Sequence, residues 1–290
     1  MKRQTTTLTL LLSGILSFGT VAAADTYSAI DFPGASATAP SGINASGDIV
    51  GTYTLAGANH GFLLSGGVFV SIDYPGARDS EAFSINSQGD VAGYFQDANL
   101  AWHGFVLSQG EFTVLDDPAA TTGTFALGIN DIGTVVGEYK VGQAFGQLGF
   151  AFFALRGGPY IQLFPPGASR VFATSINSHK EIVGRLIDTT GRQLAWKLGF
   201  NGYTVFGYPG AAITNARGIN SRGEVVGVYN LAGINHGFVL PTDDFTNFIT
   251  IDFPGAATTR ALGINAGGDI VGTYTLPGSP DFHGFLLTDD

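Results

Sequence analysis

The chain has 290 residues, a formal net charge of −10 and only 12% charged residues. This acidic balance argues against a nucleic-acid partner, because nucleic acids are bound through clustered basic residues. The sequence contains no cysteine, which excludes a disulfide framework, and its 43 glycines suit short strands joined by tight turns better than solvated helices.

The N-terminal residues have the three parts of a secretory signal peptide. Met1-Lys2-Arg3 is basic, residues 8–21 are apolar, and Ala22-Ala23-Ala24 supplies small residues for cleavage. We predict a signal peptide over residues 1–24 and one exported domain over residues 25–290, in the periplasm or outside the cell. We expect no membrane insertion after signal removal, because no second long apolar run follows.

The remainder of the chain repeats one pattern six times. Each repeat has a corner resembling Pro-Gly-Ala and, about eleven residues later, an Ile-Asn pair before a short turn. The corner prolines are Pro33, Pro75, Pro118, Pro166, Pro209 and Pro254, and the asparagines are Asn44, Asn86, Asn130, Asn177, Asn220 and Asn265. The corners recur every 42 to 48 residues. Short strands at this period are typical of β-propeller blades.

The second repeat indicates four strands in each blade. Period-two alternation predicts strands from Ser80 to Asn86, Asp90 to Phe95, His103 to Ser108 and Glu111 to Asp117, joined by turns rich in glycine. The proline corner has no hairpin character, so we place it between blades. The sequence therefore predicts an all-β fold, a six-bladed β-propeller of four-stranded blades.

The phase of the repeat predicts how the ring closes. Residues 28–32 form an outermost strand without a preceding blade, and residues 283–288 form a third strand without a follower. Pairing the N-terminal strand with the C-terminal blade would remove both exposed sheet edges. We therefore expect the ring to be closed through its two ends.

Histidine and aspartate occur as matched pairs across the outer hairpins. His60 and Asp73 are equidistant from the Gly66-Gly67 turn, and directly opposed residues share a sheet face. The four predicted pairs are His60 with Asp73, His103 with Asp116, His236 with Asp252, and His283 with Asp31. The third and fourth repeats lack both residues, which indicates one structural unit. We prefer stabilisation of the blades over catalysis or metal binding, because the pairs lie in separate blades.

The inner strands carry a hydroxyl six residues before the asparagine in five repeats, at Thr38, Ser80, Thr124, Thr214 and Thr259. An Asp–His–Thr/Ser chain resembles the network of Trp-Asp-repeat propellers. The repeat Gly-Ile-Asn-x-x-Gly-x-Val-Gly followed by His-Gly-Phe-Leu resembles the HAF repeat of bacterial exported proteins. That resemblance implies a propeller and export, and it implies no particular activity.

No nucleophile elbow, phosphate loop, zinc spacing or EF-hand loop occurs in the sequence, so we expect no cofactor and no metal. We place the function on the variable corner loops and second-to-third-strand loops around one channel mouth. The candidate ligand-binding residues there are Arg78, Glu81, Trp102, Arg170, Arg217 and Arg260. Arginine can hold a carboxylate in bidentate fashion, and Trp102 can stack on a sugar.

Three hypotheses follow for the function. The first is a monomeric, exported, non-enzymatic module that binds a glycan or an extracellular protein. The second is a carbohydrate-active enzyme, a glycoside hydrolase or polysaccharide lyase, with Glu81, Asp79, Arg170 and Arg260 as candidate catalytic residues. The third is an envelope or matrix protein without a small-molecule site. Convergence of Glu81, Arg170 and Arg260 on one pocket would favour the enzyme.

Overall fold

A computed structural model describes residues 26–142, 148–154, 159–241 and 244–288. The predicted signal peptide lies outside the described residues. The described segments form 24 β-strands, and none of them contains a helix long and apolar enough to cross a membrane.

Six four-stranded antiparallel blades follow one another along the chain, and single parallel bridges join the second blade to the third, at Gly123 and Trp102, and the fourth to the fifth, at Gln193 and Ile213. The first three blades are β2 to β5 (Ala37–Ile43, Ile49–Leu55, Ala58–Ser65, Val68–Ile72), β6 to β9 (Asp79–Ile85, Val91–Gln96, Trp102–Ser108, Glu111–Leu115) and β10 to β13 (Gly123–Ile129, Val135–Val141, Leu148–Ala154, Tyr160–Leu163). The next two are β14 to β17 (Ala168–Ile176, Ile182–Asp188, Gln193–Gly199, Gly202–Phe206) and β18 to β21 (Ile213–Ile219, Val225–Leu231, Ile234–Leu240, Ile249–Ile251). The sixth contains β22 (Thr258–Ile264), β23 (Ile270–Thr275), β24 (His283–Thr288) and β1 (Thr26–Ile30).

The two ends of the chain close the ring, as the repeat phase predicts. Strand β1 pairs antiparallel with β24, from Thr26 opposite Thr288 to Ile30 opposite Gly284. The last blade therefore takes its outermost strand from the N-terminus. This pairing and the six four-stranded blades confirm the predicted fold class.

The proline corners are tight turns between blades. At the first corner Ala35 N–H donates to Phe32 O at 3.1 Å, and Gly34 has a φ of 80°. A turn with proline second and a left-handed third residue is a type II turn, which explains the Pro-Gly sequence. Each such turn leads the chain from an outermost strand to the innermost strand of the next blade.

The core lies between successive blades and is filled by the third strands. Phe62, Phe105, Trp196 and Phe238 on these strands are fully buried. Each ring packs over a glycine of the second strand. A Cβ on Gly93, for example, would come within 2.6 Å of the Phe105 ring. These glycines are therefore required by close packing rather than by turn geometry.

The six repeated asparagines form a closed ring at the end of the channel where the inner strands finish, which we call the Asn end. Each Nδ2 donates to the backbone carbonyl of the next blade's asparagine at 2.9 to 3.4 Å, and Asn265 completes the circle to Asn44. Each Oδ1 also accepts backbone N–H groups of its own turn, such as those of Ser46 and Asp48 on Asn44. A side chain that both donates and accepts is needed here, which explains asparagine in all six repeats.

The four histidines lie beside their opposed carboxylates. The shortest Nδ1–oxygen distances are 2.9 Å for His60 and Asp73, 3.0 Å for His103 and Asp116, 2.9 Å for His236 and Asp252, and 3.2 Å for His283 and Asp31. Each histidine also stacks on an aromatic ring of the second strand, as His60 does on Tyr53.

These contacts join the blades in series. Phe32, which follows Asp31, stacks on Tyr53 with ring centroids 3.6 Å apart, and three further corners repeat this stack at 3.7 to 3.8 Å. Stacked rings and His–Asp bonds thus alternate through the fifth, sixth, first and second blades. The series includes the junction between the two chain ends.

The five hydroxyls have a different partner from the one expected. Thr38 Oγ1 accepts a hydrogen bond from Phe32 N–H at 2.9 Å, and the other four bind the equivalent corner N–H groups. The hydroxyl therefore does not extend the His–Asp pair into the expected Asp–His–Thr/Ser chain. It accepts the backbone N–H of the residue that follows the aspartate position. The physical reason is that this corner N–H has no strand partner and needs an acceptor.

Candidate functional site

The central channel has two unlike ends. A cavity of about 190 Å³ lies toward the Asn end, between the asparagine ring and a middle ring of inner-strand residues. The middle ring consists of Ser41, Phe83, Leu127, Thr174, Arg217 and Leu262. This volume is below the range of about 300–1,000 Å³ that is usual for drug-sized ligands. It suits water or part of a ligand.

The opposite end of the channel, beside the proline corners, is the corner end. Its inner-strand residues form a corner ring of Ala39, Glu81, Phe125, Phe172, Asn215 and Arg260. Their directly opposed partners on the second strands are Thr52, Tyr94, Glu138, Arg185, Val228 and Thr273. Opposed residues share a sheet face, so both sets lie on corresponding faces of the six blades. Unlike the asparagines, these residues differ from blade to blade.

Arg217 connects the two regions. It lines the cavity, and its charge interacts with Arg185, Arg260 and Glu138 at the corner end. Burial, reinforced by the two neighbouring guanidinium groups, lowers the pKa of Arg217 to about 10, although Glu138 opposes the effect. Its Nε is buried and has no hydrogen-bond partner. No carboxylate among the described residues forms an ion pair with Arg217, which is therefore a buried cation without a neutralising partner there.

Arg185 and Arg260 are held by aromatic rings. The guanidinium carbon of Arg185 lies 3.7 Å from the centroid of Phe172, and that of Arg260 lies 4.8 Å from the centroid of Phe282. Burial lowers the pKa of both arginines. Cation–π contacts fix each side chain without using its N–H donors, and the Nε of Arg260 is buried without a partner.

The second blade contributes the acidic side of the corner end. Glu81 accepts hydrogen bonds from Tyr94 OH at 2.9 Å and from Asn59 Nδ2 at 3.2 Å. Burial raises the pKa of Glu81, with a smaller contribution from Asp79, whereas the two hydrogen bonds lower it. Burial and the Glu81 charge likewise raise the pKa of Tyr94. Asp79 itself accepts the backbone N–H of Asn59 at 2.9 Å.

The third blade adds a second acid and an aromatic wall. Glu138 is only 7% exposed, and its Oε2 has no hydrogen-bond partner in the part of the chain that the structure describes. Its other oxygen lies 3.5 Å from Lys140 Nζ. The Tyr94 ring packs edge-on against Trp102 and Phe125, with ring centroids 5.4 and 4.9 Å apart. Charged groups and an aromatic surface therefore adjoin each other.

The predicted site residues lie mostly on strands rather than in loops. Asp79 and Glu81 belong to β6, Arg170 to β14, Arg217 to β18, Arg260 to β22, and Trp102 begins β8. The expectation that the corner loops carry them was wrong, because pairing with the second strand starts directly after the corner. Only Arg78 is in a loop, where it is exposed, 3.9 Å from Asp79.

The structure brings these residues to one end of the channel but not into one contact group. Glu81 and Arg260 belong to the corner ring on either side of the first blade. Arg170 precedes Phe172 by two residues on the same sheet face, further out than the ring. Sequence reasoning missed Tyr94, Glu138 and Arg185. The signal for them is the variable residue after the second-strand glycine, which is charged at Glu138 and Arg185 and aromatic at Tyr94.

No protein-family model matches the chain, and no curated protein matches it in sequence. Three similar solved structures show the relation in fold. Virginiamycin B lyase from Staphylococcus aureus is 13% identical with a TM-score of 0.54, over 91% of this chain and 99% of that chain. A fungal lectin from Aleuria aurantia, described as a six-bladed β-propeller with fucose recognition, is 11% identical with a TM-score of 0.52, over 86% and 93%. A putative gluconolactonase is 12% identical with a TM-score of 0.54, over 94% of both chains. At these identities the similarity concerns the fold, and this chain is a six-bladed β-propeller.

Proposed function

We propose that the protein is an exported, non-enzymatic propeller that binds a glycan or an extracellular protein at the corner end of its channel. The proposal rests on four buried polar atoms there that have no hydrogen-bond partner among the described residues: Arg217 Nε, Arg260 Nε, Asn215 Oδ1 and Glu138 Oε2. Burying a polar group without a hydrogen bond costs about 1–3 kcal/mol. Several such groups at one end of one channel are the arrangement expected of a site completed by a ligand.

Two further features support recognition of a glycan. Trp102, Tyr94 and Phe125 offer an aromatic surface next to the polar groups, and sugars bind to aromatic faces with their hydroxyls paired at the side. A propeller of this architecture binds fucose in the Aleuria aurantia lectin, so the fold is suited to the task. The signal-like segment and the resemblance to HAF repeats support export.

The alternative is the enzyme hypothesis, and the observation in its favour is the raised pKa of the Glu81 carboxyl. A carboxyl whose pKa is raised by burial is suited to proton transfer. Asp79 is less suited to be its partner, because it lies two residues away on the same strand and its carboxylate already binds Asn59 N–H. Glycoside hydrolysis requires two carboxyls on opposite sides of the scissile bond. We therefore place binding ahead of turnover.

The test is a panel of polysaccharides and extracellular proteins, assayed for both binding and product release. The parent, Glu81→Gln, Arg170→Ala and, as a control at the Asn end, Arg222→Gln are compared. We expect binding without product, weakened by changes at the corner end and unchanged in Arg222→Gln. Product release that is lost in Glu81→Gln would establish the enzyme instead. Binding that only Arg222→Gln reduces would move the site to the other end.

A further inference from the structure

The three arginines at the corner end have no anionic partner. Within the described residues, no carboxylate lies close enough to Arg185, Arg217 or Arg260 to form an ion pair. The carboxylate that acts on Arg185 and Arg217 is that of Glu138, which raises the pKa of both arginines electrostatically without a direct contact. Glu138 instead lies 3.5 Å from Lys140. Three cations in one channel repel one another, and a bound anion would relieve that repulsion.

Arg185 and Arg260 are also held so that their N–H donors stay available. Phe172 and Phe282 each cover one guanidinium face. The N–H groups of a guanidinium lie in its plane, so stacking leaves them directed sideways to an acceptor. This arrangement matches the planar, two-oxygen geometry of a carboxylate.

Unused acceptors lie on the same blade as the unused donors or on the next one: Asn215 shares β18 with Arg217, and Glu138 is on the blade before that of Arg185. Asn215 Oδ1 and Glu138 Oε2 are buried without a hydrogen-bond partner among the described residues, and each of these oxygens can only accept a hydrogen bond. A ligand that satisfies them needs O–H or N–H groups of its own. A simple inorganic anion lacks the several donors required, whereas a sugar acid carries a carboxylate and hydroxyls on one ring.

We propose that the corner end binds a saccharide that carries a carboxylate. This inference rests on the proposed function and names the class of ligand. The carboxylate accepts from Arg217 together with Arg185 and Arg260, the hydroxyls donate to Asn215 and Glu138, and the sugar ring packs against Trp102, Tyr94 and Phe125.

The test is isothermal titration calorimetry with four matched probes: a trimeric oligogalacturonate, its methyl ester, a neutral trisaccharide and a sulfated oligosaccharide. The variants are Arg217→Leu, which copies the residue at this position in two other blades, and Arg260→Gln. Arg222→Gln is the control, and near-ultraviolet circular dichroism checks folding. We expect the oligogalacturonate to bind, and the methyl ester and both arginine variants to lower its affinity by about tenfold or more, which corresponds to about 1.4 kcal/mol.

The outcomes separate this inference from the proposed function. Equal affinity for the acid and its methyl ester overturns the carboxylate assignment while the recognition of glycans stands. If the sulfated probe binds more tightly than the oligogalacturonate, and Arg217→Leu weakens that binding, the ligand carries a sulfate ester instead of a carboxylate. This result also overturns the carboxylate assignment. Absence of binding by all four probes overturns the inference. The proposed function then depends on whether an extracellular protein binds in the panel described above.

Discussion

The two ends of the channel use polar side chains in opposite ways. At the Asn end each asparagine donates to the next blade and accepts from its own turn, and in five of the six blades its second N–H donates to a carboxylate of that turn. At the corner end, Arg217, Asn215 and Glu138 are buried with atoms that have no partner. Polar groups that satisfy one another stabilise the ring, and the polar groups left unsatisfied at the corner end support the proposal that a ligand binds there.

The largest expected effect comes from breaking the asparagine ring. Asn177→Ala removes the bonds to Asn220 O and Glu181 and the acceptor for two turn N–H groups. We expect a loss of about 3 kcal/mol in the free energy of unfolding, measured by urea denaturation. Asn201→Ala, in an exposed hairpin turn, is the matched control and should change little. A loss below 0.5 kcal/mol, on the order of an ordinary surface substitution, would show that the ring contributes nothing.

A smaller effect is expected from the His–Asp pairs. His60→Leu copies Leu194, its counterpart in the fourth blade, and removes the bond to Asp73 and the stack on Tyr53. Because the two side chains are 29% and 46% exposed, we expect a loss of only about 1 kcal/mol. A double-mutant cycle with Asp73→Ala measures the coupling. A coupling energy of zero would show that the His–Asp pair does not stabilise the blade. A change in ligand affinity in His60→Leu would show that the pair is not separate from the binding site at the corner end.

The smallest effect concerns Glu81 and depends on pH. Burial raises the pKa of this carboxyl above its ordinary value of 4.5, so the folded state binds the proton more tightly than the unfolded state. The free energy of unfolding should therefore fall as the pH rises from 4.5 through the folded-state pKa, because between the two values the folded state holds more protons than the unfolded state. Glu81→Gln, which does not ionise, should remove this fall in a pH series of denaturation curves. Identical pH profiles would contradict the assigned cause.

The sequence predicted the fold because every blade repeats the same local signals. The Pro-Gly corner at Pro33 and Gly34 requires one turn, and the equal spacing of His60 and Asp73 around Gly66-Gly67 fixes the hairpin register. The closure was predictable for the same reason, since only one strand at each end lacked a partner. Repetition turns a weak local pattern into a strong one.

The candidate site was less predictable because it depends on what differs between repeats. Glu81, Arg217 and Arg260 stood out as charges near the corners. Glu138 and Arg185 did not, because they occupy second strands whose neighbours are apolar. All of these residues come together only because they lie on the inward faces of separate blades. The inward face of each blade can be identified only from the strand pairing in the structure. The partner of each repeated asparagine lies a whole blade away, which no local pattern records.

The most direct test of the account is the free energy of unfolding of Arg217→Leu without any ligand. If Arg217 serves a ligand, replacing a buried cation whose pKa is lowered to about 10 by the leucine found at this position in two other blades should stabilise the fold. We expect a gain of about 1–3 kcal/mol, with Arg222→Leu unchanged within about 0.5 kcal/mol. A loss of stability in Arg217→Leu would show that the arginine holds the propeller together, and would contradict the assignment of the corner end as a binding site.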